Sequence, residues 1–155
     1  MQKAMTLILL LLVGTLLFGC VDTSKPASTF TIIDNAPICA IDNKPVIRLY
    51  STTWCPHCIW IKPTYEKVVQ EYVAQGKIVA YHWEVDILDD TLTPQNEQSI
   101  PEEEMSLFKS IAPNGNIPAF LFGCMYYRIG NGYEGSKDLA SEEAEFRRII
   151  NELIS

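Results

Sequence analysis

The chain has 155 residues, 48% apolar and 20% charged, with a formal net charge of −7. That length and composition fit one packed domain and exclude a largely disordered chain. The acidic balance excludes nucleic acid as a partner and excludes docking of the domain surface on an anionic membrane, since both need a basic footprint.

The first stretch stands apart. Met1-Gln2-Lys3 is a short positive start, and Ala4 to Phe18 is leucine-rich and uncharged. An apolar run of this length fits a secretory signal better than a membrane-spanning helix. Leu17-Phe18-Gly19-Cys20 resembles a lipobox, where prokaryotic lipoprotein precursors are cut before a cysteine that becomes lipidated. The expectation is a signal peptide over residues 1–19 and lipidation of Cys20. An uncleaved N-terminal anchor is the alternative. A buried helix of the fold fits poorly, because nothing in the stretch is amphipathic. Both main readings tether the domain to the membrane on the outer face of the cell envelope. Loss of the leader removes Lys3 and makes the mature chain more acidic still. Residues 20–29, rich in Ser, Thr, Asp and Pro, read as a tether.

The domain proper is expected over residues 30–155. Phe30-Thr31-Ile32-Ile33 reads as a short strand, and Asn35-Ala36-Pro37 and Asp42-Asn43-Lys44-Pro45 are turn signals. Val46 to Tyr50 reads as a strand. A helix follows to about Gln75, with Tyr65, Val68, Val69, Tyr72 and Val73 forming one apolar stripe. Pro63 should kink that helix, and Gly76 suits its C-terminal end. Ile78 to Val85 reads as a strand with Val79, Tyr81, Trp83 and Val85 on one face. Strand, helix and strand at this spacing make a βαβ unit with parallel strands. Asp86 to Ile100 reads as an exposed polar loop, with contact to a partner as the alternative. Pro101-Glu102-Glu103-Glu104 has the pattern of a helix start with acids at the dipole, seated by Leu107, Phe108 and Ile111. Ala119 to Phe122 reads as a strand, Gly123 as a turn, and Met125 to Ile129 as its antiparallel neighbour. Asn131-Gly132 and Gly135 are loop. Ser141 is expected to cap a last helix whose buried stripe is Phe146, Ile149, Ile150 and Leu153. The class is α/β, a central mixed sheet flanked by helices on both faces.

Trp54-Cys55-Pro56-His57-Cys58 carries the chemistry. A Cys-x-x-Cys between a strand and a helix start reads as a redox pair. Exposed N–H groups and the positive end of the dipole favour a thiolate there. Cys55 is expected to be the exposed, attacking sulfur and Cys58 the resolving one. His57 can stabilise the thiolate through its imidazolium or an N–H; the alternative is a plain surface residue. A zinc site wants four ligands, and no second Cys-x-x-Cys or His pair accompanies this one, so no metal is expected. His82, mid-strand, reads as structural.

The sequence is five-cysteine. With Cys20 assigned to lipid and Cys55 and Cys58 to exchange, Cys39 and Cys124 remain. An even remainder in an oxidising compartment suggests a structural bridge. Two buried free thiols, or a second redox pair, are the alternatives.

At these residues the chain resembles the thioredoxin-like family. Trp54-Cys55-Pro56-His57-Cys58 followed by Pro63 carries the likeness, and Pro56-His57 resembles the DsbA class of dithiol oxidants. The resemblance runs from about Val46 to the C-terminus and implies a thioredoxin fold. It places Trp54 beside the active site and makes Pro118 a cis-proline after Ile117. The Ile117 backbone would then be free to pair with an extended substrate chain; the alternative is a proline that merely starts a strand. Two departures stand out. The buried acid that thioredoxins carry on the strand before the motif falls at Leu49, so proton transfer from Cys58 needs water or another group. Ile117 before the proline resembles thioredoxins, whereas Pro56-His57 resembles the oxidants. Tyr50 to Pro56 also has a glutaredoxin flavour, which Pro63 and the lack of a Gly-Gly pair after the last strand weaken.

The function these readings imply is thiol–disulfide exchange on protein substrates bearing thiols or disulfides, coupled to a redox partner in the membrane. The dithiol serves as its own cofactor, with no organic group or metal. The alternatives are a dedicated reductant, for example in cytochrome c maturation, and a non-catalytic binding module that holds partner chains at Ile117-Pro118.

Overall fold

The computed structural model describes residues 28–155. The leader 1–19, Cys20 and the tether as far as residue 27 lie outside the described residues. Seven strands and three helices follow: β1 (Thr31–Ile32), β2 (Ala40–Ile41), β3 (Lys44–Ser51), α1 (Pro56–Ala74), β4 (Val79–Glu84), β5 (Asp89–Asp90), α2 (Glu102–Ile111), β6 (Ala119–Phe122), β7 (Tyr126–Ile129) and α3 (Leu139–Leu153), with a 3₁₀ turn at Glu134–Ser136.

Six strands run in the order β1-β7-β6-β3-β4-β5, and β2 folds back on the start of β3. β3 is parallel to β4 and antiparallel to β6, so the sheet is mixed. Being central, β3 is covered on both faces, and its side chains divide by the alternation of a strand. Ile47 and Leu49, with Phe120 and Phe122 of β6, face α1 and α3. Tyr50, with Leu121 and Ala119, faces Phe108 and Ala112 on the α2 side.

The helices form where their apolar stripes meet these faces. α1 buries Ile61, Tyr65, Val68, Val69 and Tyr72; Val73, expected in the stripe, is 45% exposed. The stripe runs from Cys58 and Ile61 to Tyr72 instead. Gln75 closes α1 and Gly76 follows at φ +68°, the left-handed position in which glycine ends helices without a Cβ penalty. α3 buries Phe146, Ile149, Ile150 and Leu153, the expected stripe. Gly123, at φ +60° between β6 and β7, is a second required glycine: a Cβ there would lie 2.6 Å from the Leu153 side chain.

Three local expectations are corrected. Asp138, not Ser141, caps α3: its carboxylate accepts from the Ser141 N–H and hydroxyl. Asp and Ser both serve this role, and the chain enters the helix one turn earlier than Ser141 would allow. The acids opening α2 are not all dipole partners. Pro101 is the capping residue, and Glu104 is buried in an ion pair with Arg48 at 2.8 Å, accepting also from the Tyr50 hydroxyl. The loop from Asp86 to Ile100 is not uniformly exposed. It contains β5, antiparallel to β4, and Asp90 there is buried, its Oδ1 accepting from the His82 and Leu92 N–H groups.

Two cross-links secure the ends. Cys39 and Cys124 form a disulfide with Cα atoms 5.3 Å apart, 85 residues apart in sequence. Arg128 of β7 lies between the Phe30, Phe120 and Phe146 rings and pairs with Glu142 at 2.7 Å and Glu145 at 3.3 Å. Ser28 and Thr29, placed in the tether by sequence, both donate to Glu145. Among the described residues no helix is long and apolar enough to cross a membrane.

Candidate active site

β3 ends at Ser51 and hands the chain to α1 through Thr52-Thr53-Trp54. That connection is pinned: the Asp86 carboxylate, just past β4, accepts from the Thr53 N–H at 3.1 Å and from its hydroxyl. Burial is the largest single effect and raises the Asp86 carboxyl, but the bonds from Thr53 and neighbouring N–H groups together outweigh it and hold the group below its usual range. Sequence reading missed this anchor, although Asp86 directly after a strand was visible.

Cys55 is the N-cap of α1, with Pro56 in the first helical turn. The Cys58 N–H points at the Cys55 sulfur, with N···S 3.4 Å. The first turn carries no acidic residue, so the positive end of this 19-residue helix meets only the sulfur. Both cysteines are free thiols. The expectation of an exposed Cys55 is corrected: the residue is 4% exposed, against 2% for Cys58. Exposure lies instead on the rim, with Trp54 69% and Ile59 57% exposed.

Cys58 is held strongly as a thiol. Burial pushes its pKa up to about 12; the hydrogen bond with Cys55 adds to this, and the negative charges of Cys55 and Glu84 add more, while the Thr52 N–H opposes them. The two sulfurs differ in place: Cys55 caps α1 and Cys58 is buried in its first turn.

His57 does not turn its Nδ1 toward Cys55. That nitrogen lies 2.9 Å from the carboxylate of Glu134, in the 3₁₀ turn after β7. A carboxylate only accepts, so Nδ1 carries a proton and donates. Asn131 donates to the same carboxylate at 2.8 Å and to the His57 carbonyl at 2.9 Å. Burial is the largest single effect and raises the Glu134 carboxyl, but the bonds from Asn131 and His57 together outweigh it and hold the group below its usual range. The sequence offered Asn131 only as loop and gave no signal for Glu134, 77 residues from His57.

Pro118 is buried and its peptide with Ile117 is cis. Ala119 pairs with Tyr50, so Ile117 and Pro118 lie at the same end of the sheet as the motif. Leu49 is fully buried in the apolar core, and no acid stands there. Its register partner on β4 is His82, also fully buried. His82 Nδ1 donates to Glu66 at 2.8 Å, and Nε2 shares a hydrogen bond with the Ser51 hydroxyl at 2.7 Å. The structural reading of His82 fits this burial. Two residues further along β4, Glu84 is buried and pairs with Lys62 of α1 at 2.7 Å. These two share a cleft with Cys58, and the sequence had not singled out either.

A thioredoxin family model matches residues 34–117, a span that includes the strand, the motif, α1 and α2. The chain belongs to the thioredoxin family. No curated protein matches it significantly. The match ends one residue before Pro118, yet β6, β7 and α3 complete the expected layers around the same sheet. The family assignment is consistent with a thiol–disulfide redox function.

Proposed function

We propose that this thioredoxin-family domain is an extracytoplasmic thiol–disulfide oxidoreductase that exchanges disulfides with protein substrates through Cys55 and Cys58. The observation that carries the reading is the Cys55 sulfur capping α1 and accepting the Cys58 N–H, with no acid in the first turn. A main-chain donor and the dipole suit the anionic sulfur needed for attack. The Cys55 thiolate attacks a substrate disulfide and displaces one sulfur, which leaves as a thiolate. Cys58 then attacks Cys55, releases the second substrate sulfur and closes the Cys55–Cys58 disulfide. Run in reverse, the same steps oxidise a substrate dithiol. The substrate chain docks against the rim of Trp54 and the strand end at Ile117-Pro118. The Cys39–Cys124 bridge supports an oxidising compartment. A leader over residues 1–19 and a lipid on Cys20 would hold the domain at the outer face of the membrane, within reach of a membrane redox partner.

The Pro56-His57 dipeptide supports an oxidant, whose thiolate is strongly stabilised. A second reading, a dedicated reductant, draws on the contact of His57 with Glu134: the carboxylate offsets the charge that the imidazolium would offer Cys55. The reduction potential separates them. A value near −120 mV, as in DsbA, supports the oxidant, and one near −270 mV, as in thioredoxin, supports the reductant. Exchange itself is tested by Cys58→Ser, which should accumulate a mixed disulfide at Cys55. A variant that traps no partner from an envelope extract, together with a wild type inert toward small disulfides, would leave only a binding module.

A further inference from the structure

Exchange as proposed requires Cys58 to lose a proton before it can attack. Three observations bear on where that proton goes. First, the Cys58 thiol is 2% exposed and held protonated by its burial, so direct loss to bulk water is obstructed. Second, an open cleft of about 360 Å³ reaches it from the side, with Cys58, Ile59, Lys62 and Glu84 among its lining residues. Third, Glu84 is itself buried, lies near enough for its charge to act on Cys58, and has its carboxylate held by Lys62 at 2.7 Å.

We infer that Glu84 is the proton acceptor for Cys58, acting through water in this cleft, and that Lys62 is its positioning partner. This rests on the exchange reading above. Glu84 belongs to β4 and Lys62 to α1, so the carboxylate approaches from the strand beside β3 and not from β3 itself, where Leu49 is packed into the core. A cleft of this volume holds several waters, and Glu84 and Lys62 supply them with polar partners. The other charged groups around the thiol do not compete. Cys55 is the sulfur under attack. Asp86 is occupied by Thr53. Glu66 lies 3.9 Å from Lys62 and already accepts from His82 and Thr91. In the step itself the Cys58 S–H proton passes to the Glu84 carboxylate. The Cys58 electron pair forms the bond to Cys55 sulfur. The bond from Cys55 to the substrate sulfur breaks, and that sulfur departs as a thiolate and takes up a proton. The cysteine pair is oxidised and the substrate disulfide reduced.

Two roles for Glu84 predict opposite results. As a mere negative charge it holds Cys58 protonated, so removing it speeds resolution. As an acceptor it is required, so removing it slows resolution. The test mixes the reduced full chain with oxidised glutathione and follows tryptophan fluorescence in a stopped flow. The first phase, dependent on glutathione concentration, is attack by Cys55; the second, independent of it, is resolution by Cys58. Glu84→Gln should leave the first phase unchanged and slow the second by roughly a hundredfold near neutral pH, the lower end for a positioned acid–base group. The gap should close as pH rises and hydroxide takes over. Lys62→Gln keeps Glu84 but removes the cation that positions it, so the pH profile of the second phase should move. It serves also if Glu84→Gln does not fold. A second phase unchanged or faster in Glu84→Gln, or a pH profile unmoved in Lys62→Gln, overturns the inference while exchange stands. Absence of the first phase in the wild type overturns both.

Discussion

Glu142→Ala tests how the fold holds the loop behind the active site. One oxygen of Glu142 pairs with Arg128 at 2.7 Å, and the other accepts from the Tyr133 N–H at 2.8 Å. Glu142 is fully buried, and Arg128 is 5% exposed. Removing one partner of a buried pair leaves the other charge uncompensated, at a cost of about 3–5 kcal/mol. Arg128 keeps Glu145 at 3.3 Å, its contact with the Gly130 carbonyl at 3.0 Å and three aromatic faces, so the low end, about 3 kcal/mol, is the expectation. With a urea slope of about 1.5 kcal/mol per molar, the unfolding midpoint should fall by about 2 M. The double variant Arg128→Met, Glu142→Leu should recover much of this, because the arginine site is walled by Phe30, Phe120 and Phe146 and accepts an apolar side chain. It should not recover all, since the Tyr133 N–H still loses its acceptor and the buried Glu145 loses Arg128. Tyr133 directly precedes Glu134, so the His57–Glu134 bond should loosen too, visible as a shift of the His57 ring resonances. A midpoint moved by less than about 0.3 M at unchanged slope would show that Arg128 is satisfied without Glu142 and that the buried-pair reasoning fails.

Further outcomes follow from the same geometry. Replacing Cys39 and Cys124 together by alanine opens an 85-residue span and should cost about 3–5 kcal/mol in a denaturant titration; the Cys55–Cys58 potential should stay unchanged, since the bridge ties β2 to the β6–β7 turn and not to α1. Burial alone would raise the Glu66 carboxyl, but hydrogen bonds from His82 and Thr91, with His82 and Lys62 nearby, bring it below its ordinary 4.5. A carboxyl lower in the folded than in the unfolded state contributes stability above its unfolded value, and this is lost as pH falls below about 4.5 through the folded value. Glu66→Gln should therefore flatten the acid limb of a stability–pH profile below pH 5, and an unaltered limb would place the acid sensitivity elsewhere. Glu134→Gln should shift the reduction potential in the wild-type background but not in His57→Ala. Equal shifts in both backgrounds would show that Glu134 does not act through His57.

The sequence by itself determined the framework. The apolar runs Val46–Tyr50 and Ala119–Phe122, the stripes of α1 and α3, and Cys-x-x-Cys at a strand–helix junction are local signals, readable because a buried strand is a short apolar run between turns and a helix repeats every 3.6 residues. They specified a mixed sheet between helices and the pair Cys55–Cys58. Only the tertiary structure decided what surrounds that pair. Glu134 meets His57 across 77 residues, and Arg48 meets Glu104 across 56. Lys62 and Glu84 are brought together because α1 is laid over β4. Such partners leave no periodic trace: a single polar residue on a strand reads as solvent-facing until the element covering it is known. For the same reason the coverage of Cys55 and the burial of Asp90 and Glu142 were not legible in the chain. Burial of a charge depends on what another segment places against it, and that is a property of the packed molecule.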